Sequence, residues 1–440
     1  MTTDAATPSL PEAVAPAGGR RDLSSLALIV GIVGLVIAGA GLIYGLSAAD
    51  PRPLESWLLG FTFWFSTLVG TLMLIMMFYV FDAGWATVIR RQMEHILAAM
   101  PIVCASFLPV LVICLFSSDI SLWKWLHPGV ITYPGTDELV KNDVLYQHKA
   151  GYLNTGFFLV RIVLYFAVMI FLASKLRAWS FGMDTNPDPK TYIRSRALSA
   201  AGIILTALTA TFAAVDFYMS ISYHWFSTMY GVWFFATSMR LGLAATIILC
   251  FFLGYRGHLK GLYKPAHEYY LGCLCLAFTI FWAYISFSQY FLIYNANIPE
   301  ETFWYNVREL TETWETSAWY WFSIGGLVIG FFLVPFFYLL WYPNKFGERL
   351  LFIAGWIAVF AIFDFYFNII PGKKDLDGAS EQYPLGYKLD GVLSGSIVFD
   401  LAAIVGIGGL CLWATLRSMK KTEIIPIHDP RIDESVNASL

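Results

Sequence analysis

Ionisable side chains inside apolar segments are the residues of this chain that could do chemistry. They are Arg161, Asp216, Arg240, Asp364 and Asp400, and each lies within a long run of apolar residues. A charge at the centre of a membrane helix costs about 2.5 to 3.5 kcal/mol, so such residues mark ion pairs, ion routes or proton routes. The five groups therefore predict either buried ion pairs that join helices or a path on which a carboxylate exchanges protons.

The expected depth of these groups bears on both interpretations. At about 1.5 Å per helical residue, Arg161 and the three aspartates fall in the outer half of the membrane, whereas Arg240 lies deeper toward the cytoplasm. Arg161 can neutralise only one carboxylate, which would make that pair a structural link between helices. At least one aspartate is then expected without a cationic partner, and such a carboxylate could exchange protons with the outside.

His224 lies in a short outer loop, eight positions after Asp216. Its ordinary pKa is close to physiological pH, so it could pass a proton or donate a hydrogen bond to a quinone oxygen. The competing interpretation is a histidine that only orders the loop. The predicted proton path consists of Asp216, His224, Asp364 and Asp400, with Arg161 and Arg240 neutralising or tuning them. The residues predicted to lie closest to any quinone are His224, Trp225 and Tyr230.

The composition shows which elements must position these groups. The chain has 440 residues, of which 58% are hydrophobic and 13% charged, and this balance excludes soluble domains as its bulk. A membrane span needs about 20 apolar residues. The sequence predicts an all-α integral membrane fold with ten spans, at about 25–46, 57–81, 96–116, 152–174, 197–222, 227–253, 269–293, 316–341, 350–370 and 391–416.

The distribution of Lys and Arg predicts the orientation of these spans. Most basic residues outside the spans fall in the two tails and in the loops after the second, fourth, sixth and eighth spans. Cytoplasmic loops carry the excess of Lys and Arg, so both termini are expected in the cytoplasm. Residues 1–24 are predicted to form a disordered tail, and residues 417–440 form the second cytoplasmic tail.

Two short motifs recur along the chain and indicate an internal duplication. Trp64–Gly70 and Trp225–Gly231 agree at five of seven positions, and the triplet Asp-Phe-Tyr begins at both Asp216 and Asp364. The sequence therefore predicts two four-helix bundles of the same orientation, over 57–222 and 223–370. The first helix and an outer loop precede them at 25–56, and an outer loop and the tenth helix follow at 371–416.

The positions of Cys and His exclude several functional classes. The six cysteines lie in apolar runs without a CxxC pair, and the seven histidines fall at span ends, in loops or in tails. No ligand set for a bilayer haem, an iron–sulfur cluster or structural zinc is therefore predicted. The near-neutral net charge of −3 also argues against a nucleic-acid partner.

One stretch of the chain resembles a known family. The run Asp216-Phe217-Tyr218-Met219-Ser220, continued by the segment His224–Gly231, is similar to the signature of the ActF-type membrane subunits of alternative complex III, which belong to the NrfD/PsrC-like family. Ten spans, cytoplasmic termini and two four-helix units agree with that family. Phe63 occupies the place in the first repeat that His224 takes in the second, so the two bundles are not expected to be equivalent.

The resemblance implies an integral subunit of a quinol:electron-acceptor oxidoreductase in a bacterial inner membrane. It implies no redox cofactor in this chain, an uncertain site for menaquinol or quinone, and a contribution to proton translocation. The implied partners are an ActC-type paralogue that binds quinol, multihaem and monohaem cytochrome c subunits, an iron–sulfur subunit and membrane lipids. A stand-alone multi-pass transporter and a purely structural scaffold subunit remain alternative hypotheses.

Overall fold

The computed structural model describes residues 23–131, 139–310, 315–370 and 396–440, and it is built from α-helices. Within these ranges ten helices are long and apolar enough to cross a membrane, which confirms the predicted all-α membrane fold. They are α1 (Leu23–Ala48), α2 (Arg52–Val80), α3 (Gly84–Phe116), α4 (Thr155–Gly182), α5 (Pro189–Ser222), α6 (Tyr230–Tyr255), α7 (Pro265–Ala296), α8 (Ala318–Leu340), α9 (Gly347–Ile369) and α10 (Ile397–Lys421).

Several helix ends differ from the predicted ones, and at the starts of α2 and α3 the charged residues are buried. Helix α3 begins at Gly84 instead of 96, since Arg90 and Arg91 find partners inside the protein. Helix α2 begins at Arg52, inside the predicted outer loop, and α10 continues to Lys421. The predicted tail up to residue 22 and the outer segment 371–395 lie outside the described residues.

Helices α2–α5 are described below as the first helix group and α6–α9 as the second, and α1 and α10 pack against α2. In the first group α5 contacts α2 and α4, and in the second α6 contacts α7 and α9 while α9 contacts α8. The groups meet where α2 crosses α6 at Gly70 and Gly242, and a Cβ on Gly70 would lie 1.8 Å from the carbonyl oxygen of Ser238. Glycine is needed at this crossing because the two backbones touch.

Helices α1 and α10 are held together in the same manner. A Cβ on Gly34 would lie 2.6 Å from the Cα of Gly406, so small residues allow close contact where apolar side chains gain nothing by leaving lipid. This pair also packs on α2. Both α1 and α10 therefore lie against the first helix group.

Only one of the two recurring motifs occupies equivalent places in the two helix groups. Trp64 lies within α2, whereas Trp225 precedes the start of α6 at Tyr230. Asp216 and Asp364 do share a position, because both lie near the C-terminal ends of their helices, α5 and α9, on the side that the sequence predicts to face outward and that is called the outer side below. Only the aspartate motif therefore corresponds in position between the two groups.

Segments outside the spans cover both ends of the helices. The outer helix Pro299–Glu309 precedes α8 and buries Trp304 and Tyr305. At the opposite end the C-terminal helix Ile432–Val436 packs against α3. Its Ser435 donates a hydrogen bond to the Trp85 carbonyl oxygen at 2.8 Å, which ties the tail to the body of the protein.

Candidate functional site

Asp216 forms a buried ion pair with Arg161 of α4. The guanidinium Nε and Nη2 donate to the two carboxylate oxygens at 2.7 and 3.0 Å, and the Tyr165 hydroxyl donates to the same carboxylate at 2.8 Å. Arg161 also lies 3.8 Å from the centre of the Tyr152 ring and donates to the Tyr152 carbonyl oxygen at 2.8 Å. The charge of Asp216 is thus compensated, and the pair links α4 to α5.

Asp400 forms a second buried ion pair, with Arg52 of α2. The guanidinium donates through Nη1 and Nη2 at 3.0 and 2.8 Å, and the Tyr366 hydroxyl of α9 also donates to the carboxylate. The sequence analysis missed Arg52 because this residue was assigned to an outer loop. Asp400 is the fourth residue of α10, so it lies closer to the outer end than the predicted helix start implied.

Asp364 is the aspartate that neutral donors surround. Trp233 Nε1 lies 3.1 and 3.2 Å from its oxygens, Thr237 Oγ1 2.9 Å, and Trp282 Nε1 3.1 Å. The residue is fully buried. Within the described ranges no Lys or Arg lies at ion-pair distance from it. Neutral donors stabilise the anion but leave its charge in place, so this carboxylate can take up and release a proton without leaving a guanidinium bare.

Arg240 lies one helical turn beyond Thr237 on α6 and is also fully buried. Its Nη2 donates to the carbonyl oxygen of Phe331, and its guanidinium carbon lies 3.6 Å from the centre of the Phe331 ring. Phe331 is near the end of a π-helical stretch of α8, Ser323–Leu333. Nε and Nη1 of Arg240 have no hydrogen-bond partner among the described residues.

A cavity of about 410 Å³ lies beside Asp364, between α6, α7, α8, α9 and the outer helix Pro299–Glu309. Nine of its nineteen lining residues are aromatic, and a few others are polar. Sequence reasoning missed this site because its residues come from five segments. Its lining includes Trp233, Trp282, Ser286, Gln289, Trp304, Tyr305, Glu309, Tyr320 and Asp364.

The residues predicted to be closest to a quinone take different places around this cavity. Trp225 stacks on Trp304 with ring centres 4.5 Å apart, and Tyr230 lies 4.9 Å from Trp233, so both stand one layer behind the cavity wall. His224 does not line the cavity, because its Nε2 bonds to the carboxylate of Asp143 in the first long outer loop.

The contact between His224 and Asp143 closes the outer loop over α5 and α6. An ionised carboxylate can only accept, so we assign the hydrogen to Nε2 of the imidazole. Burial lowers the pKa of His224 despite the opposing effect of Asp143. Burial alone would raise the pKa of Asp143, but hydrogen bonds from Tyr223 and His224 outweigh it and lower that pKa. Asp143 carried no signal in the sequence, since it lies in a polar loop.

A separate cluster of buried charges joins the helix ends opposite Asp216 and Asp364, which the sequence predicts to face the cytoplasm. Arg91 donates to both oxygens of Asp184 at 2.6 and 3.0 Å, and Arg90 donates to Asp429 of the C-terminal tail. Arg90 also lies 3.8 Å from Glu94. These ion pairs account for the buried position of residues that composition alone assigns to a loop.

Comparisons with known proteins do not assign this chain to a family. No protein-family model matches the chain, and no curated protein matches it. In the described ranges no group of three or more His, Cys, Asp or Glu side chains is arranged to hold a metal ion.

Proposed function

We propose that the chain is an integral membrane subunit of a quinol-oxidising respiratory complex, in which Asp364 takes up and releases protons. The observation that carries the proposal is the environment of Asp364. It is buried in the outer part of α9, it receives hydrogen bonds from neutral donors, and it borders a cavity. A carboxylate that no Lys or Arg contacts at ion-pair distance changes protonation state at lower cost than one in an ion pair.

The face of α6 that meets Asp364 supports a proton route through the outer half of the protein. Trp233, Thr237 and Arg240 follow each other at spacings of four and three residues, so they lie on one side of the helix. The first two bond to Asp364, and the third lies deeper, with two guanidinium nitrogens that have no hydrogen-bond partner among the described residues. The positive charge of Arg240 would stop a proton that has reached Asp364 from moving farther inward.

The identity of the complex rests on the sequence resemblance to the ActF-type subunits of alternative complex III. On this proposal the chain lies in a bacterial inner membrane with both termini in the cytoplasm. It carries no redox centre of its own, and its partners are a quinol-binding paralogue, cytochrome c subunits and an iron–sulfur subunit. Asp216 and Asp400, which the sequence placed on the proton path, have a structural role in their ion pairs with Arg161 and Arg52.

Replacing Asp364 by Asn tests the proposal. The amide keeps the size of the side chain and some hydrogen bonds but does not titrate. We expect the complex to assemble with its cytochromes. The rate of quinol oxidation or the proton yield per quinol should be at least about tenfold lower than in the wild type. Both quantities are measured in proteoliposomes that contain the whole complex.

Asp119→Asn is the matched control, because Asp119 is exposed in an outer loop. This variant is expected to keep the wild-type rate and proton yield. If the Asp364→Asn complex assembles and keeps the wild-type rate of quinol oxidation and the wild-type proton yield, the proposed role of Asp364 is wrong. The chain would then be a scaffold subunit.

The cavity also supports a second candidate function, a stand-alone transporter with a substrate site in the second helix group. The two hypotheses differ in what purifies with the chain. Co-purification with c-type haem supports the respiratory subunit, whereas a haem-free protein with transport activity supports the transporter.

A further inference from the structure

Helix α8 changes its geometry at Pro335. The stretch Ser323–Leu333 is a π-helix, in which an N–H bonds to the carbonyl five positions earlier, and the stretch Val334–Leu340 is an α-helix. The N–H of Val334 still bonds in the π pattern, to the carbonyl oxygen of Ile329. The next donor along the chain would be residue 335, but a proline has no N–H. The backbone hydrogen bonds of α8 are therefore interrupted at this place.

Two carbonyl groups could accept from residue 335 if it had an N–H. In π geometry the acceptor would be the carbonyl oxygen of Gly330, and in α geometry that of Phe331. Both oxygens accept from side chains of other helices. Trp356 Nε1 of α9 donates to the Gly330 oxygen at 2.7 Å, and Arg240 Nη2 of α6 donates to the Phe331 oxygen. Helices α6 and α9 thus supply donors where the backbone of α8 lacks one.

The surroundings of the Arg240 guanidinium fit this task. The residue is fully buried, and its guanidinium carbon lies 3.6 Å from the centre of the Phe331 ring. Its hydrogen bond goes to a backbone carbonyl rather than to a carboxylate. A buried cation within a membrane span is costly, so its position calls for a specific contact. A buried carbonyl that finds no donor is costly as well, and the contact with Phe331 removes that cost.

The π-helical stretch of α8 forms one wall of the cavity beside Asp364. Ile324, Leu327 and Phe332 of this stretch line the cavity. π-Helices are rare and usually no longer than one turn, so a stretch of 11 residues needs contacts with neighbouring helices to hold it. A change from π to α geometry would rotate these side chains relative to one another, because the two helices differ in the number of residues per turn.

We propose that Arg240 is a positioning residue that replaces the backbone donor missing at Pro335. Together with Trp356 it holds α8 in π geometry beside the cavity. Arg240 lies one turn of α6 beyond Thr237, which bonds to Asp364, so one side of α6 fixes both the carboxylate and the cavity wall. This role is independent of proton movement at Asp364.

A double-mutant cycle between Arg240 and Pro335 tests the role. Pro335→Ala restores a backbone N–H, and Arg240→Met removes the guanidinium but keeps an apolar stem. The other effects of removing a buried charge are the same in both backgrounds and cancel, so the difference isolates the replaced donor. The ratio of folded to unfolded full-length chains is measured in mixed micelles with a denaturing detergent. Arg240→Met should lower this ratio at least about fivefold more in the wild-type background than in the Pro335→Ala background.

Arg308→Met is the matched control for the cycle. Arg308 is also buried and donates to backbone carbonyl oxygens, those of Trp304, Phe367 and Asn368, but none of these lies in α8. Its effect should be equal in the two backgrounds within about twofold. If Arg240→Met likewise has the same effect in both backgrounds, Arg240 does not replace the missing donor and the proposal is wrong.

Trp356→Phe gives a second cycle with Pro335→Ala that leaves every charge in place. It removes the indole N–H from Gly330 and keeps an aromatic ring. If Arg240→Met folds in neither background, this cycle decides: a smaller effect of Trp356→Phe in the Pro335→Ala background supports the proposal, and equal effects contradict it.

Hydrogen–deuterium exchange shows whether α8 itself responds. In the folded Arg240→Met chain, the amides of segment 323–334 should exchange at least about threefold faster than in the wild type, whereas Arg308→Met should leave them unchanged. Unchanged exchange in a folded Arg240→Met chain would mean that α8 keeps its geometry without Arg240, which would also overturn the proposal. Neither assay involves proton transfer, so their failure is distinct from a failure of the Asp364→Asn experiment.

Discussion

Removing either member of the Arg161–Asp216 pair should destabilise the chain strongly, while removing both should not. Arg161→Met leaves a carboxylate in the membrane interior without its cation, and Asp216→Asn leaves a bare guanidinium. The two side chains are 6% and 0% exposed, so neither charge is well hydrated. The double variant leaves no charge at this place, and the apolar stem of Met fills much of the space of Arg161.

Breaking a buried ion pair by removing one partner costs about 3 to 5 kcal/mol. We expect a loss near 3 kcal/mol for Asp216→Asn, because Arg161 keeps the Tyr152 carbonyl oxygen at 2.8 Å and the Tyr152 ring at 3.8 Å. That loss lowers the ratio of folded to unfolded chains roughly a hundredfold. The double variant should recover to within about 1 kcal/mol of the wild type, since replacing both partners by uncharged groups is often neutral.

The free energy of unfolding is measured by titrating the full chain in mixed micelles with a denaturing detergent. Arg194→Met is the matched control, because it removes a guanidinium that is 62% exposed and lies 4.0 Å from Asp188. An exposed pair of this kind contributes about 1 kcal/mol or less. If the two single losses are small and add up to the loss of the double variant, the pair is not coupled and the structural interpretation of Asp216 is wrong.

Two further predictions concern the ends of the helices. Asp429→Ala should loosen the C-terminal tail because it removes the carboxylate that Arg90 contacts, so a protease should cleave the tail faster than in the exposed control Asp433→Ala. Because burial lowers the pKa of His224, the folded chain binds this proton less readily than the unfolded chain, and stability is lost as the pH falls below about 6.5. His224→Gln should reduce the loss of thermal stability between about pH 7 and pH 5, and an unchanged loss would contradict this.

The membrane helices were predictable because hydropathy acts over whole segments. Ten apolar runs of sufficient length correspond to ten helices in the described residues, and only their ends moved. The ends moved where charges have partners far along the chain. Arg52 and Asp400 are 348 positions apart, and Arg90 and Asp429 are 339 apart. No local sequence pattern indicates such distant pairs. Charged residues next to an apolar span, such as Arg52 and Arg90, were therefore assigned to loops.

Of the residues that line the candidate site, the sequence singled out only Asp364. Asp364 stood out because a carboxylate in an apolar span is rare. Trp282, Ser286 and Glu309 did not stand out, because a tryptophan, a serine or a loop glutamate is common at such positions. Their meaning depends on the outer helix Pro299–Glu309 lying over α7 and α8, which is a tertiary arrangement.

Asp216 and Asp364 have the same neighbours in sequence and opposite surroundings in space. Asp216 faces Arg161 of the preceding helix, whereas Asp364 faces Trp233 and Trp282 from the first two helices of its group. A guanidinium pairs with the first carboxylate, whereas only neutral donors, among them indole N–H groups, bond to the second. On the proposed function, the recurring aspartate serves as a link in one helix group and as a proton carrier in the other. Its neighbouring helices, rather than its own motif, determine which role it takes.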